Sequence, residues 1–89
     1  MKHLIAIEAK FLPPTNFKCD RIKMTLPRWE NKSKTISYDY QHKDTVVNVE
    51  TFLNENNITP LSYCETKNGY TFLVSFDQVE IVLEAMGVK

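Results

Sequence analysis

The sequence predicts an α+β domain with elements in the order β-β-β-α-β-β-α, a mostly antiparallel sheet and helices packed mainly on one face. Three observations carry this. Apolar residues recur with a period of two up to Tyr40 and again on either side of Gly69. Helical spacing appears only near residues 45–56 and 78–86, and Pro or Asn-Gly punctuation falls between the periodic runs. At 89 residues the chain has room for one domain, 1–89. A domain of that size buries roughly two-thirds of its unfolded surface, so a large catalytic cleft is not expected.

Residues 3–12 are apolar and β-branched and end at Pro13-Pro14-Thr15-Asn16, which marks a strand closed by a Pro-rich turn. From Lys18 to Leu26 a second strand places Ile22, Met24 and Leu26 on one face and Arg21, Lys23 and Thr25 on the other. Pro27 ends it, and residues 28–33 read as a loop. Lys34 to Tyr40 alternates again, with Ile36, Tyr38 and Tyr40 on one side. Asp44 suits a helix N-cap, because its carboxylate can accept the free N–H groups of the first turn. The helix should run from Thr45 to Asn56 on a stripe of Val46, Val49, Phe52 and Leu53, with Pro60 forbidding extension. Asn68-Gly69 predicts a type I′ hairpin turn in which Lys67 faces Tyr70 and Tyr63 faces Val74. That register puts Leu61, Tyr63, Tyr70, Phe72, Val74 and Phe76 in the core and leaves Cys64 and Leu73 on the opposite face. Asp77 and Glu80 have capping-box spacing before a short last helix that Gly87 should end.

Eleven basic residues balance eleven acidic ones, but residues 18–34 carry a net charge of +4 and residues 44–89 a net charge of −5. The opening residues lack a secretory signal pattern and no run could cross a bilayer, so a cytoplasmic location without membrane contact is expected. Cys19 and Cys64 have no pairing or zinc-ligand spacing and read as free thiols. The only glycines, Gly69 and Gly87, belong to a turn and a cap, which leaves no phosphate-binding loop. His3 and His42 stand at no metal-ligand spacing. The cluster from Asp39 through His42 and Lys43 to Asp44 reads first as a polar connection into the helix, with a metal or acid/base site as its rarer use. No catalytic residue, metal or cofactor is therefore expected, and the chain reads as a non-enzyme.

The candidate binding residues are Phe17, Lys18, Arg21, Lys23, Arg28, Trp29, Lys32 and Lys34. Cations interleaved with aromatics suit either nucleic acid, where phosphates meet Lys and Arg while Trp29 stacks, or a protein interface anchored on Arg and Trp. The plainer reading is a solvated strand face whose lysines discourage edge pairing, with Trp29 folded over the core edge.

The block Phe11-Leu12-Pro13-Pro14-Thr15-Asn16-Phe17-Lys18-Cys19-Asp20-Arg21-Ile22-Lys23, followed by Thr35-Ile36-Ser37-Tyr38-Asp39 and Asn68-Gly69-Tyr70-Thr71-Phe72-Leu73-Val74, resembles a family of small uncharacterised accessory proteins from bacterial phages, plasmids and integrative elements. The chain departs from that family's pattern at Cys19, where a glycine often follows the Lys, and in the loop holding Arg28-Trp29-Glu30. The resemblance implies a mobile-element context and supplies no catalytic residue or cofactor. Two functions follow as expectations. One is a protein-binding module of a mobile element, for example an inhibitor of a host defence nuclease of the restriction or CRISPR type. The other is a nucleic-acid-binding accessory protein using segment 17–34, against which the zero net charge argues. A monomer or small homo-oligomer is expected, with an exposed sheet edge as a route to a dimer.

Overall fold

A computed structural model describes residues 2–42 and 44–88 of the chain. Five strands, β1 (Leu4–Leu12), β2 (Arg21–Leu26), β3 (Lys32–Ser37), β4 (Pro60–Thr66) and β5 (Gly69–Ser75), form one antiparallel sheet in the order β3-β2-β1-β5-β4. Helix α1 (Thr45–Glu55) joins β3 to β4, and α2 (Val79–Ala85) follows β5. This is the expected α+β class. Two 3-10 turns, Pro27–Trp29 and Phe76–Gln78, are additional, and β3 starts and ends earlier than its sequence pattern indicates.

Alternation decides which face the helices cover. Ile5, Ile7 and Ala9 of β1, Ile22, Met24 and Leu26 of β2, and Phe72 and Val74 of β5 are all buried and lie on one face. They pack with Val49 and Leu53 of α1, Ile58, Val82 of α2 and Met86. No strand residue of the other face is buried.

Both helices end in the same way. Asn57 (φ +64°) takes the left-handed conformation after α1, with Asn57 N–H bonded to Asn54 O at 3.0 Å and Ile58 N–H to Leu53 O at 2.8 Å. Gly87 (φ +75°) repeats this pattern after α2, through Gly87 N–H to Glu84 O and Val88 N–H to Leu83 O. These are Schellman ends, and in the first Ile58 seals the core against Leu53. At the start of α1, Asp44 accepts from Val46 N–H at 2.7 Å as expected. The expected cap at Asp77 is replaced. Ser75 accepts from Asp77 N–H at 3.3 Å and begins a 3-10 turn that feeds α2.

The hairpin register differs by two residues from the sequence expectation. Thr66 pairs with Gly69, Glu65 with Tyr70 and Tyr63 with Phe72, so Lys67-Asn68 occupy the turn and neither has positive φ. The reason lies on the neighbouring strand. A Cβ at Gly69 (φ +151°) would stand 2.2 Å from Ala9 O. Glycine is therefore required where β5 approaches β1, outside the centre of the turn. A shift of two keeps every residue on its face. Burial is what changes: Leu61 and Tyr63, expected in the core, are each 53% exposed because β4 is an edge strand beyond the helices' cover.

Candidate interaction face

The face opposite the helices is built from the second residue set of each strand. Across it run Ser33, Thr35 and Ser37 of β3, Arg21, Lys23 and Thr25 of β2, and Leu4, Ala6, Glu8, Lys10 and Leu12 of β1. Thr71, Leu73 and Ser75 of β5 and Ser62, Cys64 and Thr66 of β4 complete it. Lys10, Lys23 and Glu8 are exposed and Arg21 is half-buried. The face thus carries three cations and one anion among hydroxyl, small and aliphatic side chains, and no aromatic residue.

Register places Lys10 directly opposite Lys23, with Thr35 beyond Lys23 on β3. Like charges facing each other across two strands cost stability, on the order of 0.2–1 kcal/mol. Among the described residues none of Lys10, Arg21 and Lys23 makes an ion pair, the one recorded being His42 with Asp39. Beside the two lysines lies an open groove of about 330 Å³ lined by Glu8, Lys10, Lys23, Thr25, Thr66 and Asn68, with Gly69 contributing to its wall. Arg21 Nε is buried without a hydrogen-bond partner among the described residues, and so is Asp20 Oδ1.

The eight sequence-derived residues divide into separate places. Arg21 and Lys23 belong to the open face. Phe17 and Lys18 sit in the β1–β2 loop, which Thr15 folds: its hydroxyl accepts from Phe17 N–H and Lys18 N–H, and its own N–H donates to Lys18 O at 2.8 Å. That turn leaves Phe17 95% exposed. Arg28 and Trp29 lie at the other end of β2, in the 3-10 turn. Arg28 donates to His3 Nε2 at 2.7 Å, which makes that ring nitrogen the acceptor. Its guanidinium also stands 5.6 Å from the Trp29 ring centre and 5.2 Å from that of Phe76, on which His3 stacks. Trp29 is half-buried against the core. Lys32 and Lys34 are on β3, and register places them on the helix side, where Lys34 Nζ is 6.0 Å from the Phe52 ring centre.

Two of the four charged members of the open face lie outside the basic segment the sequence singles out. Lys10 and Glu8 belong to β1 and join Lys23 and Thr25 through antiparallel pairing. The alternation of Glu8 and Lys10 with Ile7 and Ala9 is the signal that places them outward.

The connection between β3 and α1 is structural in its bonding. Asn48, 5% exposed, accepts from Asp39 N–H at 2.7 Å and donates to Asp39 O and Asp44 O. Asp39 accepts from Gln41 N–H and pairs with His42 at 3.5 Å, while Asp44 caps α1; Lys43 lies outside the described residues. Nearby, Tyr40 donates to Asp20 Oδ2 at 2.6 Å, and that bond, with Asp20's charge, raises the phenol above its ordinary value of 10.0. The Tyr70 phenol is raised chiefly by the charge of Glu65. Among the described residues no three His, Cys, Asp or Glu side chains gather as a metal site, and no helix is long and apolar enough to cross a membrane. Cys19 and Cys64 are both exposed free thiols.

Fold and face together define a small sheet protein with one helix-covered side and one uncovered, cation-bearing side. No family model, curated protein or solved structure matches the chain.

Proposed function

We propose that the protein is a non-enzymatic interaction module of a mobile genetic element that docks an acidic surface of a host or element protein through its open sheet face. The observation that carries this reading is the uncompensated row Lys10–Lys23, flanked by Arg21 and by a line of hydroxyls. A like-charge pair that makes no ion pair, with Glu8 the single acid on its face, is costly alone and favourable against carboxylates. The mobile-element context comes from the resemblance of the Phe11–Lys23 block, and in that context a defence nuclease is the class of partner to examine first.

Protein is favoured over single-stranded nucleic acid because stacking platforms need aromatic side chains on the binding surface. The open face has none, Trp29 packs on the core edge, and Phe17 stands alone on its loop. The test is a pull-down from bacterial lysate with and without nuclease, comparing the unmodified chain with a Lys10→Glu, Arg21→Glu, Lys23→Glu triple variant. A protein retained after nuclease digestion, lost with the triple variant and weakened by salt supports the proposal. Recovery of nucleic acid alone moves the reading to a nucleic-acid-binding accessory. Capture that ignores the triple variant removes the open face from the account.

A further inference from the structure

We infer that β4 is a self-association edge, and that a second copy of the chain pairs with it antiparallel about a two-fold axis at Cys64. The strand is outermost in the sheet, every residue from Leu61 to Thr66 is exposed, and that stretch contains no Lys, Arg or Pro. A β-bulge between Pro60 and Ser62 limits the regular edge to Ser62–Thr66, whose middle residue is Cys64.

Pairing about that centre sets Cys64 opposite Cys64, Ser62 opposite Thr66 and Tyr63 opposite Glu65 of the second copy. No like charges meet, since Glu65 is the one charged residue in the stretch. Just beyond the paired stretch, Lys67 of the second copy comes alongside a groove of about 230 Å³ lined by Glu50, Leu61, Tyr63 and Phe72. By symmetry the same opposite-charge approach, Lys67 toward Glu50, occurs twice. The other ways this chain could pair with itself lack these features. A β3 edge meeting its own copy brings together strands that each carry Lys32 and Lys34, and β3 meeting β4 is a head-to-tail contact that cannot close as a dimer and sets the same lysines at the junction. The two-fold β4 contact closes and joins two five-stranded sheets into one.

Directly opposed residues of an antiparallel pair have Cα atoms about 4.5–5.5 Å apart, inside the range a disulfide spans. The test uses the full chain under reducing conditions in sedimentation, and then mild oxidation of a Cys19→Ser variant and, separately, a Cys64→Ser variant. The expected result is a concentration-dependent dimer, ready cross-linking when Cys64 is the remaining thiol, and none when Cys19 is. Cys64→Lys sets two cations at the axis and should weaken the dimer roughly tenfold or more. Lys67→Glu should weaken it, and Glu50→Lys added to Lys67→Glu should restore it. Each site is exposed, so circular dichroism of the variants should match the unmodified chain. A chain that stays monomeric at hundreds of micromolar, or a dimer indifferent to Cys64→Lys and to the charge exchange, overturns the inference.

Discussion

The two edges of the sheet are made differently. The β3 edge, Lys-Ser-Lys-Thr-Ile-Ser, has charge at alternate positions, with Lys34 reaching toward Phe52 of α1. A strand arriving there must desolvate ammonium groups, which is how natural sheets guard an edge. The β4 edge, Pro-Leu-Ser-Tyr-Cys-Glu-Thr, has one carboxylate, an exposed Tyr63 and a bulge that shortens it without blocking it. The difference shows how a chain of neutral net charge separates its roles. The basic half guards one edge and supplies part of the open face, while the acidic half leaves its edge available.

The two sides of the sheet should separate most clearly at Gly69, which sets the β4–β5 hairpin against β1. Gly69→Ala forces a Cβ into Ala9 O and should cost about 3 kcal/mol, read as a lowered urea midpoint. Hydrogen exchange should rise in β4 and β5 before β3; equal loss on both sides would show that the hairpin is not a separable part. On the β3 side the corresponding pin is Asn48. Asn48→Ala leaves the Asp39 N–H without its acceptor and removes one of two donors from each of the Asp39 and Asp44 carbonyls, which keep the N–H groups of His42 and of residue 48; it should cost about 2 kcal/mol and loosen the β3–α1 connection first.

A smaller change in stability, with a sharper consequence, is expected from Lys32→Thr with Lys34→Thr. Stability should move by less than about 1 kcal/mol, yet light scattering should report association through the unguarded edge. A chain that stays as soluble as before would mean the lysines are not what protects β3. The smallest effect is in alkaline titration. Asp20→Asn should return the Tyr40 phenol toward its ordinary value, seen as earlier ionisation in ultraviolet absorbance. Because the folded phenol is raised, the support its bond to Asp20 gives the fold is present below the unfolded phenol's value. It is lost as pH climbs through the folded one.

Much of this was readable from the residues. Alternation at Ile5, Ile7 and Ala9 and at Ile22, Met24 and Leu26 located the core face, and Asp44 and Gly87 marked helix ends. The hairpin register was not readable, because Asn68-Gly69 looks locally like a turn centre while Gly69 answers to Ala9, sixty residues earlier. Tyr63 and Leu61 carry the apolarity of core residues, but their exposure follows from β4 being outermost, a property of strand order. The open face was half visible. Arg21 and Lys23 stood out in a basic run, whereas Lys10 joins them only through pairing, and Arg28 and Trp29, equally prominent in sequence, are engaged with His3, Phe76 and the core edge.

Whether the uncovered face is the one that binds can be read by photo-cross-linking in bacterial cells that supply the partner. A photoreactive phenylalanine analogue would replace Thr35 on the open face or, in a second variant, Asn54 on the exposed side of α1. A discrete protein adduct is expected from position 35 and none from position 54. An adduct from position 54 alone would place the binding surface on the helices and contradict binding through the open face.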